Sequence, residues 1–214
     1  MTGVAELDAP PRRRDAVRNL ERVLTSAGEL LDQYGDDLTM EMIARHAGVG
    51  VGTIYRRFPN KDALLEELAR AISESMLAAG RADLARADGT GLRDFLRTVG
   101  HTMVRHRGHA GLLVGRGSAA ERARNLEALL ADLLADAQLH GQAAAEVAVG
   151  DLMTIIWALR GVIESTADVA PDAWMRHLDL HLAALRDHVP STDTRPALSA
   201  RQLERISEIQ RPRR

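Results

Sequence analysis

The stretch Thr39–Lys61 reads TMEMIARHAGVGVGTIYRRFPNK and guides the interpretation of the whole chain. Its first half carries apolar residues at the spacing of one helix face: Met40, Ile43, Ala44 and Ala47. Gly48 follows, and glycine adopts the left-handed conformation that ends many helices at little cost. We therefore predict a short helix that stops at Gly48, with Val49 packing the turn.

The second half of this stretch predicts another short helix with one buried side. Ile54 and Phe58 are separated by one helical turn and therefore share a face. The residues then left on the outer side are Thr53, Tyr55, Arg56 and Arg57. Because the major groove admits a helix and is read by hydroxyl and guanidinium groups, this helix is suited to DNA.

Positive charge is concentrated in the same stretch. Between Met42 and Lys61 there is no Asp or Glu, and the basic residues are Arg45, Arg56, Arg57 and Lys61. The whole chain is nearly neutral, with 28 Lys and Arg against 30 Asp and Glu. A local basic surface on a neutral chain is typical of a site-specific binder and not of a nonspecific coating protein.

Taken together, these residues resemble the helix-turn-helix of the tetracycline-repressor (TetR) family of transcription regulators. The resemblance rests on three runs at matching spacing: Ala47-Gly48-Val49, Gly52-Thr53-Ile54-Tyr55 and Phe58-Pro59-Asn60-Lys61-Asp62-Ala63-Leu64. It extends upstream through the helix before Tyr34-Gly35. Gly50 stands where the family often has a capping serine, and Val51 stands where a polar residue is common.

The resemblance implies an all-α fold of about nine helices, with a three-helix DNA-binding domain followed by a helical ligand-binding and dimerisation domain. We expect a disordered arm over residues 1–8, the helix-turn-helix domain over 9–60, the regulatory domain over 61–190 and a polar tail over 191–214. Apolar spacing predicts helices over residues 15–34, 92–107, 109–114, 119–140 and 143–166, and a last long helix from residue 171. Within the tail, residues 199–209 are expected to form at most a turn or two of helix.

The composition excludes several classes of protein. The chain has no cysteine, which removes disulfides, thiolate metal sites and cysteine nucleophiles. The N-terminus has no apolar signal region, and the apolar run Leu152–Leu159 is too short to span a bilayer. We expect a cytoplasmic protein with no membrane contact and no cofactor.

The predicted DNA contacts are Arg12, Arg13, Arg14, Thr39, Arg45, Val51, Gly52, Thr53, Tyr55, Arg56 and Lys61. The arginines at 12–14 are either an arm for phosphates and the minor groove or a solvated charge run. Thr39 is a helix N-cap that also suits a phosphate. Lys61 opposes the dipole of the helix it begins, which favours another role for its charge. In the family, the position of Lys61 commonly meets the DNA backbone.

A ligand pocket is predicted from one side of the helix over residues 143–166. Met153, Trp157 and Arg160 would supply an aromatic face and a cation for a flat or anionic molecule. The full set of predicted pocket residues is Phe95, Val99, Met103, His106, Leu130, Met153, Trp157 and Arg160. The alternative is a surface ion pair between Arg160 and Glu164.

The last two long helices resemble the pair that forms the dimer interface in the family. The predicted interface residues are Ile155, Leu159, Ile163, Trp174, Leu178, His181, Leu182 and Leu185. His177, His181 and His188 lie on one side of the last helix, a spacing compatible with a metal but without a convincing set of further ligands. If they lie at the dimer seam, their protonation would loosen it.

The predicted function is a sequence-specific transcription regulator, a repressor released from a palindromic operator by a small molecule. Its partners would be double-stranded operator DNA, an effector of unknown identity and a second copy of the chain. No nucleophile elbow, metal-hydrolase helix or cofactor fingerprint is present in the sequence, so an enzyme is not expected. Two alternatives stay open: an activator or ligand-independent regulator with the same DNA-binding domain, and a helical enzyme or protein-interaction module.

Overall fold

The computed structural model describes residues 11–107, 119–186 and 196–209. Within these ranges the chain forms nine α-helices and one short 3-10 helix, with no strand, so the predicted all-α fold is confirmed. None of the described helices combines the length and the apolar character needed to cross a membrane.

Nine helices follow one another along the described ranges of the chain. Their bounds are α1 Pro11–Tyr34, α2 Met40–Ala47, α3 Val51–Arg57, α4 Lys61–Leu84, α5 Gly91–Arg105, α6 Ala119–Leu139, α7 Val149–Thr166, α8 Ala173–Arg186 and α9 Ala200–Ile209. The 3-10 helix Gly35–Asp37 joins α1 to α2. The short helix predicted over residues 109–114 lies outside the described residues.

Two helices begin at positions other than those predicted. Helix α1 already includes Pro11, because proline lacks the N–H that a first helical turn leaves unsatisfied. Helix α7 begins only at Val149, since Asp151 Oδ2 accepts a hydrogen bond from the Ala148 amide at 2.9 Å and fixes the helix start there. The preceding residues form a turn, and the side-chain amide of Gln138 donates to their carbonyl groups.

The described chain falls into two compact units that meet in sequence within α4, between Ala69 and Arg70. In the first unit, α2 packs against both α1 and α3. Its core consists of apolar side chains from all four helices and from the α1–α2 connection, among them Ala27, Leu38, Ile43, Ile54 and Leu64. This packing fixes the short α3 against α2.

The second unit is built around α7, which is apolar on more than one side. Its buried residues include Leu152, Met153, Ile155, Ile156 and Leu159. Helices α5, α6 and α8 pack around it. A close approach occurs where α5 passes α8: a Cβ atom added at Gly100 would lie 2.2 Å from Trp174 Cζ3. Glycine at this position therefore permits the contact between the two helices.

The C-terminal segment differs from the predicted polar tail. Residues Ala200–Ile209 form a complete helix, α9, which packs against α6, and Leu203 is buried there. Just before α9, Leu198 crosses the first turn of α7 so closely that a Cβ atom at Gly150 would lie 2.3 Å from its carbonyl oxygen. A few apolar residues are sufficient to anchor this otherwise charged segment.

Candidate nucleic-acid interface

The turn between α2 and α3 is defined at both ends of α2. At its start, Thr39 is extended and its Oγ1 accepts a hydrogen bond from the Met42 amide at 3.2 Å. At its end, Gly48 has φ +65°, and the Val49 amide donates back to the Ala44 carbonyl at 3.0 Å. The left-handed glycine with this crossing bond is a Schellman ending. The predicted N-cap and the predicted glycine stop are both confirmed.

Helix α3 buries one side and exposes the other, as the spacing predicts. Ile54 is 2% exposed and Phe58 6% exposed. The exposed positions of α3 are Val51, Gly52, Thr53, Tyr55, Arg56 and Arg57. Gly50 is the N-cap and provides no side-chain bond, although its carbonyl accepts from the Thr53 amide at 2.8 Å. The first turn of α3 therefore presents backbone amides with little side-chain cover.

The polar side chains of α3 divide between its two flanks. On the flank beside α2, the Tyr55 hydroxyl donates to Glu41 Oε1 at 3.3 Å. On the flank beside α1, Arg56 Nη2 donates to Thr53 Oγ1 at 3.0 Å. Thr53 and Arg56 line a cleft there together with Asn19 of α1. Because a helix in the major groove has a DNA strand on each side, Tyr55 is available to one strand and Thr53 to the other.

Glu41 lies near α3 and was not predicted from the sequence. It lies in the first turn of α2, where an acidic residue complements the helix dipole, so nothing in its local sequence marks it as unusual. Its contact with Tyr55 spans the whole turn and is created by packing. Desolvation and the nearby Glu41 carboxylate raise the pKa of the Tyr55 phenol above its ordinary value. Tyr55 is therefore a hydrogen-bond donor throughout the neutral range.

Lys61 occupies a position that joins two parts of the first unit. Its Nζ donates to the backbone carbonyl of Asp36 in the 3-10 helix at 2.7 Å. Asn60 caps α4 by accepting from the Ala63 amide at 2.9 Å. The bond to Asp36 holds the ammonium group near the chain that leads into Thr39. The ammonium group has further N–H donors, so this contact is compatible with a phosphate contact.

Of the other predicted DNA contacts, the structure describes the side chain of Arg45 but not those of the arginines at 12–14. Arg45 is exposed in the last turn of α2. Next to it, His46 Nε2 lies 3.0 Å from Glu29 Oε2 of α1, which ties the two helices together. Arg12, Arg13 and Arg14 belong to the first turns of α1, and their side chains lie outside the description.

The predicted pocket residues belong mainly to the core of the second unit. Phe95, Val99, Leu130 and Met153 are buried in that core, and Met103, His106 and Trp157 are partly buried. Arg160 Nε donates to Glu164 Oε1 at 2.7 Å, which is the alternative contact considered for this side chain. The pocket itself stays a prediction.

The predicted dimer residues are mostly covered by the chain itself. Ile155, Leu159, Ile163, Trp174, Leu178 and Leu185 are buried in the core of the second unit, and His181 and Leu182 are partly buried. The reason is that α7 and α8 use their most apolar sides to pack within one chain. The large apolar residues that α8 leaves exposed are Met175 and Leu180, and the dimer interface stays a prediction.

The histidines of α8 form a close pair. The rings of His177 and His181 have centroids 4.3 Å apart, and His181 Nδ1 lies 2.9 Å from the His177 carbonyl oxygen. Desolvation and the neighbouring His181 lower the pKa of His177. His188 lies outside the described residues, and within them no group of three or more His, Asp or Glu residues is arranged to hold a metal ion.

Comparison with known proteins decides the family. The family model described as bacterial regulatory proteins, tetR family, matches residues 23–68. A TetR transcription regulatory protein from Mycobacterium vanbaalenii is 34% identical, with a TM-score of 0.61 over 72% of this chain and 98% of that chain. The chain belongs to the TetR family of transcription regulators. Proteins of the TetR family are DNA-binding regulators and not enzymes.

Further relatives agree with this family. The TetR transcriptional regulator SCO0520 from Streptomyces coelicolor is 27% identical, with a TM-score of 0.64 over 78% of this chain and 98% of that chain. An HTH-type transcriptional regulator of Staphylococcus aureus is 40% identical over 53 residues. This last match spans 24% of the present chain and 29% of the length of that relative.

Proposed function

We propose that this protein binds a palindromic DNA operator as a homodimer and represses transcription until a small molecule releases it. DNA binding is inferred from the contrast between the buried side and the exposed side of α3. Ile54 and Phe58 fix one side in the core, while polar and small residues occupy the exposed side. A short helix that packs against the core on one side and exposes this surface on the other can enter a major groove.

Phosphate contacts are assigned to the two flanks of α3. Thr39, Tyr55 and Lys61 form the group on the α2 side, and Thr53 forms part of the α1 side. The Thr39 oxygen accepts from the Met42 amide, so its hydroxyl hydrogen is available for a phosphate oxygen. Arg45 and the arginines at 12–14 add positive charge outside these groups. Such contacts position the protein but do not read sequence.

Base contacts are assigned to the start of α3 and to one guanidinium group. Val51 and Gly52 lie in the exposed first turn. Val51 offers methyl groups, which suit the thymine methyl, and Gly52 allows close approach of the backbone. Arg56 supplies the guanidinium group, which binds the major-groove edge of guanine in a bidentate manner.

The remaining parts of the chain take regulatory roles in this proposal. Residues 9–60 form the DNA-binding domain, 61–190 form the effector and dimerisation domain, and residues 1–8 and 191–214 flank them. Helix α4 runs through the sequence of both compact units. A ligand that displaces α4 would change the spacing of the two reading helices in a dimer, and half-site spacing is a geometric requirement for operator binding.

Dimerisation is assigned to the exposed side of α8. Leu180 is 59% exposed and Met175 36% exposed on α8. A two-fold interface built from these positions is isologous, which matches a palindromic operator.

The proposal is tested by selecting bound duplexes from a random DNA pool and titrating the enriched sequence by fluorescence anisotropy. We expect an inverted repeat, a complex containing two chains, and strong salt dependence. The mass of the free protein in light scattering shows whether the dimer exists before DNA is bound. Enrichment of no sequence above the nonspecific background would contradict the proposal.

A second candidate is a regulator with the same DNA-binding domain that activates transcription or responds to no ligand. The dense burial of Phe95 and Leu130 at predicted pocket positions favours this candidate. In vitro transcription from a template carrying the selected operator separates a repressor from an activator. A repressor lowers the transcript yield, whereas an activator raises it.

A further inference from the structure

A charged cleft lies on the second unit, away from the predicted pocket. It is formed by the loop before α5, the N-terminal half of α5, the end of α6 with the turn after it, and the C-terminal half of α8. Its volume is about 250 Å³. Its charged lining residues are Arg93, Arg97, Asp179 and Arg186. Two of them, Arg93 and Arg97, lie one helical turn apart on α5.

The arginines of α5 are held by carboxylates that a ligand can replace. Arg97 Nη2 lies 2.9 Å from Asp179 Oδ1, and this pair joins α5 to α8. Arg93 Nε lies 3.0 Å from Asp94 Oδ1, but Asp94 also binds Arg86 at 2.7 Å. Arg93 therefore shares its acid with another cation. Both arginines are about half exposed and can exchange partners.

The floor of the cleft is apolar. Leu92, Ala137 and Leu185 line it and are buried, and Leu182 is partly buried beside them. The rim at Gly89 is fixed, because its amide donates to Asp136 Oδ2 at 2.9 Å. The cleft thus combines a row of cations with a preformed apolar surface, which is the usual composition of a small-molecule site.

We propose that this cleft binds a small organic monocarboxylate with an apolar body. The carboxylate binds Arg97 and Arg93, which are one turn apart on α5, and the body rests on the leucine floor. A volume of about 250 Å³ lies below the usual range for drug-sized ligands, so a single ring or a short acyl chain is the expected size. The cleft shares no lining residue with the predicted pocket around Trp157.

Binding would replace a contact within the protein. The ligand carboxylate takes the place of Asp179 on Arg97 and so releases the ion pair between α5 and α8. Because α8 carries the proposed dimer surface, the exchange couples the cleft to the arrangement of the dimer. The geometry of the cleft alone supports the binding site. Its effect on the dimer rests on the proposed function as well.

The experiment is calorimetric titration of the full chain with benzoate, compared with benzyl alcohol and inorganic phosphate. Benzyl alcohol has the ring without the charge, and phosphate has the charge without the ring. We expect benzoate to bind at least about tenfold more tightly than either, because charge-assisted hydrogen bonds are strong and the floor adds apolar contact.

Two variants with opposite expected effects make the test specific. Arg97→Gln should weaken benzoate binding about tenfold or more, because it removes the charged donor. Asp179→Asn should strengthen binding by roughly threefold, because it removes the competing carboxylate. Arg105→Gln, on α5 but outside the cleft lining, should leave binding unchanged. Circular dichroism checks that each variant is folded.

Absence of benzoate binding, or equal binding in wild type and Arg97→Gln, would overturn the proposal. Binding of benzyl alcohol as tightly as benzoate would overturn it too, since the cations would then have no role. Operator binding is measured separately in the same preparations. If benzoate binds but no operator is found, the binding site is supported and the proposed function is contradicted. If an operator is found but benzoate does not bind, the binding site is contradicted and the proposed function is supported.

Discussion

The hydroxyl of Tyr55, a predicted phosphate contact, donates to the carboxylate of Glu41 at 3.3 Å. A phosphate that approaches Tyr55 must therefore compete with an acid that already accepts its hydrogen bond. The same acid repels the phosphate. Glu41 thus opposes DNA binding on one flank of α3, while the arginines and Lys61 favour it.

Replacement of Glu41 by Gln should therefore strengthen operator binding. The change keeps the shape of the side chain and removes its charge. We expect a gain of roughly threefold to fivefold at low salt, the size of an exposed charge interaction. Anisotropy titrations with operator DNA measure it, and the gain should shrink at high salt because exposed charges are screened. Glu146→Gln, in the exposed loop before α7, is the control and should change little. Unchanged or weaker binding in Glu41→Gln would show that the acid does not oppose DNA.

Lys61→Ala tests the phosphate contact at the start of α4. Loss of one contact should lower the slope of log affinity against log salt by about one unit and leave sequence preference unchanged. The bond to Asp36 is lost as well, so stability should fall by about 0.5–1.5 kcal/mol. Lys61→Arg keeps the charge and should keep the slope. A slope that stays the same in Lys61→Ala means that the ammonium group contacts no phosphate.

Arg56→Ala tests base reading on the flank beside α1. If Arg56 reads a base with both guanidinium nitrogens, its loss should cost about 1–3 kcal/mol and relax preference at one position of the half-site. The neighbouring Arg57 is a matched control, because its guanidinium lies 5.8 Å from the centre of the Phe58 ring and was not assigned to DNA. Repeating the duplex selection with both variants gives the answer. If Arg56→Ala weakens binding to all DNA sequences equally, Arg56 contacts the DNA backbone and not a base.

The histidine pair of α8 predicts a pH-dependent loss of stability. The folded-state pKa of His177 is lowered, first by desolvation and then by His181, so the unfolded chain binds the proton more readily. Stability from this group is complete above the unfolded-state pKa and is lost as pH falls toward the folded-state pKa. His177→Gln should therefore lose less stability than wild type between about pH 8 and about pH 5.5, in urea titrations. Identical pH dependence in both proteins would remove His177 as the cause.

The sequence predicted the features that depend on near neighbours. Gly48 ends α2 and Ile54 anchors α3 because helical spacing and glycine conformation act within a few residues. The contacts of Tyr55 with Glu41 and of Lys61 with Asp36 join residues far apart in sequence, and periodicity does not encode such pairs. The dimer interface stays a prediction for a related reason. An apolar side predicts burial but does not say whether the same chain or a partner covers it.

The C-terminal segment gives a direct test of packing that the sequence did not reveal. Gly150→Ala places a Cβ atom 2.3 Å from the carbonyl oxygen of Leu198, and a backbone atom cannot rotate away as a side chain can. The segment must shift, so we expect a loss of about 1–3 kcal/mol in the free energy of unfolding. Urea titration measures this loss.

Gly161→Ala is the matched control, because it lies on the same helix and its Cβ would meet open space. There the substitution should stabilise the protein by about 0.5–1 kcal/mol, since alanine is the better helix former. Limited proteolysis adds a local readout: cleavage within residues 196–209 should become faster in Gly150→Ala and stay slow in Gly161→Ala. Equal stability and equal cleavage in the two variants would mean that Leu198 does not hold the segment against α7.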